Sequence, residues 1–134
     1  MNKILCFVSD EMADFEITLV FHKLKTIGNK EIITVGYDLT PVVSESGLTY
    51  LPNRTIEQVL DLPGVEALII PGGPIRSQRD KLTELILKLD NEKRLLAAIC
   101  NGPPVSCFVF PHYLSPRPKT EIHPNVCVSL TFNG

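Results

Sequence analysis

The sequence lacks the long apolar runs and the charge excess that mark several classes of protein. Its 134 residues contain no apolar stretch long enough to span a membrane. The first apolar run, at residues 4–8, is also too short for the core of a signal peptide, so we expect a cytoplasmic protein. With 13 basic and 15 acidic residues, the chain has no basic excess of the kind that usually accompanies nucleic acid binding. We therefore expect neither a membrane nor a nucleic acid as a partner.

Cysteine pairs of the type that bind zinc are also missing. The four cysteines stand at positions 6, 100, 107 and 127, and no two of them are spaced as CxxC. We therefore expect no metal site and no cofactor, and we expect reduced thiols in a cytoplasmic setting. Hydrophobic residues make up 44% of the chain, which is enough for a real core without disulfide staples.

What the sequence does contain is an alternation of strand and helix patterns. Continuous apolar runs at residues 4–8, 65–70 and 95–99 predict strands covered on both faces. Apolar residues at helical spacing follow the first run as far as Gly28, and follow the second run over residues 82–89. This alternation is typical of a parallel sheet between two helical layers. We predict an α/β fold, a three-layer sandwich with a mostly parallel, flavodoxin-like sheet.

Shorter elements are expected between these runs. They are a strand over residues 31–37, a hairpin of residues 42–43 and 48–51 broken at Gly47, and a short helix over residues 55–60. Asp14 is expected either to cap the first helix or to lie on a solvated acidic face. Ser77 and Asp80 resemble a capping box for the later helix.

The pattern changes after Gly102. Six prolines fall within residues 103–134, and no helical period longer than about two turns survives there. Residues 126–132 are expected to form a strand. We divide the chain into an α/β domain, residues 1–103, and an atypical proline-rich tail, residues 104–134. The sheet is expected to be incomplete at its C-terminal end, and such an exposed edge favours association.

Cys100 is the strongest candidate for a chemical role. It follows the buried run 95–99 and has small neighbours in Ala97, Ala98 and Gly102. A nucleophile on a tight turn between a strand and a helix needs such neighbours, and the helix N-terminus would stabilise a thiolate. The pattern alone fits equally well with a buried core cysteine.

Two further features are expected at the same edge of the sheet. Pro71-Gly72-Gly73 follows a predicted strand, where glycines allow backbone N–H groups to approach an oxyanion; the alternative is an ordinary turn. Glu16 lies beyond the first strand and could hydrogen-bond a thiolate, or it could be a solvated acid in a first helical turn. His123 is a possible base for Cys100, although a histidine in a polar loop is more often ordinary surface.

These pieces together resemble the ThiJ/PfpI family of the class I glutamine amidotransferase-like superfamily. The resemblance rests on strand 4–8 with Asp14-Phe15-Glu16 after it, on the run 68–73, and on the run 98–103. It implies that Cys100 is the elbow cysteine and that Glu16 is the acid that hydrogen-bonds it. It also implies that Gly73 and the backbone of Asn101 supply oxyanion N–H groups. Many members are homodimers, so a homodimer is expected.

The function implied by the resemblance is a cysteine-dependent stress protein, or a hydrolase or lyase, acting on small reactive carbonyls as glyoxalases and deglycases do. Its partner would be a small-molecule electrophile. Peptidase-type members carry His after the cysteine, and Asn101 stands there instead. The alternatives are a redox-sensing, chaperone-like protein without enzymatic activity, and an inactive remnant. Because the tail does not resemble the family's continuation, we expect a truncated or frame-shifted member that diverges near Pro104.

Overall fold

The fold is described here for residues 2–73, 79–100 and 130–131 of a computed structural model. Its strands are β1 (Lys3–Phe7), β2 (Glu31–Gly36), β3 (Val42–Val43), β4 (Thr49–Tyr50), β5 (Arg54–Thr55), β6 (Val65–Ile70), β7 (Leu95–Cys100) and β8 (Leu130–Thr131). Its α-helices are α1 (Thr18–Thr26), α2 (Ile56–Leu60) and α3 (Arg79–Asn91), and a 3-10 turn spans Asp14–Glu16.

Six strands of the described residues form one sheet in the order β5-β2-β1-β6-β7-β8, and every neighbouring pair is parallel. β1 lies between β2 and β6, so the chain leaves β1 in one direction and later returns to its other side. Such a reversal of strand order is the point at which open α/β sheets bind ligands. The predicted flavodoxin-like parallel sheet is therefore confirmed.

Helices cover both faces of the sheet. On one face, α2 and α3 bury Ile56, Val59, Leu82, Leu85, Ile86 and Leu89 against β1, β2, β6 and β7. On the other face, α1 and the turn before it pack Ile17, Phe21 and Leu24 over β1 and β6. The side chains of β1 and β6 are almost all buried, since these strands are covered on both sides. The three-layer arrangement is confirmed.

The hairpin and the short helix lie where the sequence patterns predict them. β3 and β4 pair antiparallel as a separate two-stranded sheet, and Gly47 adopts a φ of 79° in the turn between them. α2 begins at a capping box, in which the Thr55 hydroxyl accepts from the Gln58 N–H while the Gln58 side chain accepts from the Thr55 N–H. β5, which ends at the same Thr55, was not predicted.

One prediction about the first helix is wrong. α1 begins at Thr18, its N-cap is Ile17, and no side chain caps it. Asp14 lies in the preceding 3-10 turn and is only 2% exposed, so it neither caps the helix nor belongs to a solvated face. The reason is that its carboxylate has hydroxyl partners elsewhere in the fold, described below.

Several predictions fall on residues outside the described ranges. These are the Ser77–Asp80 capping box, the division at residue 103 and the character of the tail. β8 lies within the strand predicted over 126–132 and pairs with β7 through Ile99–Leu130 and Cys100–Thr131. Among the described helices, none has both the length and the apolar character needed to cross a membrane.

Candidate functional site

The carboxyl ends of β1, β6 and β7 meet at one edge of the sheet. Cys6 of β1 is in register with Ile69 of β6, and Ile70 pairs with Ala98 of β7. Three segments therefore leave the sheet side by side. They are the segment 8–16 after β1, the loop 71–73 after β6, and the end of β7 at Cys100. The topology brings the predicted site features to a common edge.

Glu16 occupies the last position of the 3-10 turn after β1. Both of its carboxyl oxygens are buried, and neither has a hydrogen-bond partner among the described residues. Burial raises the pKa of Glu16 above its ordinary value, and the negative charge of Glu45 raises it further. The side chain is therefore not the solvated first-turn acid that was the alternative. It is a carboxyl group predisposed to keep its proton, which is what a proton donor in a site requires.

The loop after β6 lies directly against the segment after β1. Gly73 has a φ of 129°, and a Cβ at this position would lie 3.0 Å from both the Glu11 carbonyl oxygen and the Met12 Cα. Glycine is required both by the backbone conformation and by the close approach. The loop is therefore more constrained than an ordinary turn.

A hydroxyl cluster around Asp14 was missed by sequence reasoning. Ser44 and Tyr50 donate hydroxyl hydrogen bonds to Asp14 Oδ2, each at 2.8 Å, and Ser46 donates to Oδ1 at 2.6 Å. Burial acts to raise the pKa of Asp14, but the three hydroxyls outweigh it and hold that pKa below its ordinary value. The partners lie 30 to 36 residues away in sequence, so no local pattern could have indicated them.

An apolar cavity of about 310 Å³ lies under α1. It is lined by Cys6, Val8, Ile17, Thr18, Phe21, His22, Ile32, Thr34 and Tyr50. Neither Glu16 nor Gly73 is among these lining residues. The cavity therefore belongs to the packing between α1 and the sheet rather than to the edge where the predicted site residues lie.

The remaining predicted site residues are placed only in part. Cys100 is the last residue of β7, at the same edge as Glu16 and the 71–73 loop, and its backbone pairs with Thr131. Asn101 and His123 lie outside the described residues. Within the described ranges, no group of three or more His, Cys, Asp or Glu side chains could hold a metal ion.

The chain is similar to a known protein family and to curated members of it. The chain matches the DJ-1/PfpI family over residues 2–113. A deglycase of Pyrococcus abyssi is 27% identical over 106 residues, covering 77% of this chain and 63% of the relative. Deglycase PfpI of Pyrococcus furiosus is 28% identical with the same coverage. The chain thus spans less than two thirds of the length of these curated relatives.

The fold of this chain is also similar to those of solved structures. A DJ-1 superfamily protein of Agrobacterium tumefaciens superposes with a TM-score of 0.66 at 28% identity, covering 75% of this chain and 54% of that chain. Oxidized DJ-1 of Toxoplasma gondii superposes with a TM-score of 0.68 at 17% identity, covering 98% of this chain and 83% of that chain. At that lower identity the likeness concerns the fold alone.

Proposed function

Because the chain belongs to the DJ-1/PfpI family, we propose that it is a cysteine-dependent enzyme acting on small reactive carbonyls, of the glyoxalase or deglycase type. Its curated relatives are named deglycases. The observation that carries the proposal is the Glu16 carboxyl group, which is buried at the edge where Cys100 ends β7 and has no hydrogen-bond partner within residues 2–73 and 80–98. A buried carboxyl group without a partner is costly to stability and is typical of functional sites.

In the proposed chemistry, the Cys100 thiolate attacks the aldehyde carbon of a 2-oxoaldehyde. A sulfur–carbon bond forms while the carbon–oxygen π bond breaks, and its electron pair moves onto the oxygen. Backbone N–H groups of Gly73 and Asn101 would stabilise this oxyanion. Glu16 would then transfer its proton to the oxygen, which gives a neutral hemithioacetal and leaves Glu16 as a carboxylate. The raised pKa of Glu16 supports this donor role, because the group stays protonated closer to neutral pH.

The test compares purified parent protein with Cys100→Ala and Glu16→Gln, using methylglyoxal as the probe. We expect Cys100→Ala to abolish its consumption and Glu16→Gln to reduce it. The matched control is Cys6→Ala, which removes a buried thiol outside the proposed site. Undiminished turnover in Cys100→Ala would rule the mechanism out. Selective oxidation of Cys100 by mild peroxide, seen by intact mass and without any carbonyl turnover, would favour redox sensing instead.

We also propose that the protein is a homodimer in a reducing, cytoplasmic setting. Three large apolar side chains in and beside α1 are more than 60% exposed, namely Phe15 in the turn before the helix, Leu19 within it and Ile27 just after it. An exposed apolar surface of this kind commonly marks an interface. Light scattering should give twice the monomer mass, and Leu19→Lys should shift the equilibrium toward the monomer. A monomer at all concentrations of the parent protein would contradict the proposal.

A further inference from the structure

Asp14 lies two residues before Glu16, and the proposed chemistry assigns it no step. Its carboxylate is nevertheless buried and receives three hydroxyl hydrogen bonds, from Ser44, Ser46 and Tyr50. Hydrogen bonds to a buried charge are stronger than those between neutral groups. These three hydrogen bonds therefore connect the 3-10 turn to the β3–β4 hairpin.

The backbone strengthens the same attachment. The Glu11 N–H donates to the Val43 carbonyl oxygen at 2.8 Å, and the Glu45 N–H donates to the Met12 carbonyl oxygen at 2.9 Å. The Val43 N–H in turn donates to the Asp10 carboxylate at 2.9 Å. The hairpin thus follows the segment after β1 along its length and ends at the turn that carries Glu16.

On its other side, the segment is held by the loop after β6. The Ala13 N–H donates to the Gly72 carbonyl oxygen at 2.8 Å, and Gly73 packs against the backbone of Met12. The Glu16 N–H donates to the Ala13 carbonyl oxygen at 3.2 Å. These bonds hold the backbone of the turn from both sides, and they therefore fix the position from which the Glu16 side chain extends.

We propose that Asp14 is a positioning residue which, through the hydroxyls of Ser44, Ser46 and Tyr50, keeps the Glu16 carboxyl group buried at the edge where β7 ends. The inference deepens the proposed function and rests on it for the catalytic role of Glu16. The charged group that acts on Glu16 is Glu45 from the hairpin, among the residues that the structure describes. Its negative charge adds to the effect of burial on the pKa of Glu16.

Ser46 offers a clean way to test this, because the residue is exposed while its hydroxyl reaches Asp14. Ser46→Ala removes one of the three hydrogen bonds without leaving a cavity, and Ser46→Thr keeps the hydroxyl as the matched control. The titration of Glu16 is followed by NMR in protein labelled with ¹³C-carboxyl glutamate, and its signal is assigned by its loss in Glu16→Gln. Asp14→Asn is the second, stronger variant.

We expect the Glu16 pKa to move down toward that of exposed glutamates in Ser46→Ala, further in Asp14→Asn, and not in Ser46→Thr. Methylglyoxal turnover should fall in kcat by about tenfold to a hundredfold in the first two variants, as expected for a misplaced catalytic group, with little change in KM. A lower melting temperature with an unchanged Glu16 titration would overturn the positioning role. If Glu16→Gln does not change turnover, the proposed function fails, while the NMR titration still decides the role of Asp14.

Discussion

The Ala13 N–H donates to the carbonyl oxygen of Gly72 at 2.8 Å, and this bond joins the two loops of the candidate site. One loop carries Glu16, and the other carries Gly73. Because the two are also in steric contact at Gly73 and Met12, a change in either loop is transmitted to the other.

Gly73→Ala should destabilise the protein more than Gly47→Ala. Gly47, at a φ of 79°, lies near the left-handed helical region, which costs about 1–2 kcal/mol for a residue with a Cβ, whereas Gly73, at 129°, lies beyond it, where such residues are rarer still. At Gly47 the new methyl group would meet nothing within 4 Å, whereas at Gly73 it would lie 3.0 Å from backbone atoms that cannot easily move. Urea unfolding of the two variants measures the difference. Equal losses of unfolding free energy would show that the contact with Met12 does not constrain the loop.

Glu16→Gln should become more stable relative to the parent protein as the pH is raised. Because burial raises the Glu16 pKa, the folded state binds this proton more tightly than the unfolded chain does. The parent therefore loses stability as the pH rises from the ordinary glutamate pKa through the raised one, and the variant does not. Urea unfolding at pH values from about 4 to about 7 covers the start of this window.

Glu57→Gln provides a control of opposite sign. The ion pair with Lys81 lowers the Glu57 pKa, so the stability it contributes is present above the ordinary glutamate pKa and is lost as the pH falls. Glu57→Gln should therefore lose, not gain, stability relative to the parent as the pH rises. The same sign for both variants would mean that Glu16 is not perturbed by its surroundings.

Cys6 should resist alkylation in the folded protein. Burial raises the pKa of its thiol to about 12, so at pH 8 only about one molecule in ten thousand carries the reactive thiolate. Iodoacetamide followed by peptide mapping should find Cys6 unmodified in buffer and modified in urea. Rapid labelling of Cys6 in buffer would show that the space beneath α1 opens readily to the reagent.

Thr55→Ala should cost about 1 kcal/mol, which is the usual loss when a helix N-cap is removed. The variant leaves the Gln58 N–H at the start of α2 without its hydroxyl acceptor. Thr49→Ala, at an exposed position of β4, is the matched control and should cost less. Equal losses in urea unfolding would indicate that the capping box contributes nothing beyond strand propensity.

Local patterns were sufficient to predict the central sheet. The runs that form β1, β6 and β7 are continuously apolar because both of their faces are covered, and no other local structure explains such short runs as well. β5 was missed because it has only two residues, Arg54 and Thr55, and neither side chain is apolar. Its position at the edge of the sheet depends on its pairing with β2, and no local sequence pattern indicates that pairing.

The site could be predicted only as far as the topology determines it. Glu16 and the glycine loop follow strands, and carboxyl ends of parallel strands meet at one edge, so their placement could be expected. The buried state of Asp14 could not be, because it depends on Tyr50 and two serines brought near by the hairpin. An aspartate after a polar turn is usually solvated, and only tertiary hydrogen bonds reverse that preference.

The strand order has a kinetic consequence. Each neighbouring pair in the six-stranded sheet is parallel, so no pairing can be closed by a tight hairpin, and each must wait for a crossover segment. β1 is made first but reaches its partner β6 only after β2, α2 and the β3–β4 hairpin have been synthesised. Because the paired strands are far apart in sequence, the chain loses much conformational entropy in closing the loop before their contacts form. This slows folding. On the ribosome, β1, whose side chains are nearly all buried in the folded protein, thus stays without its second neighbour until β6 has been synthesised.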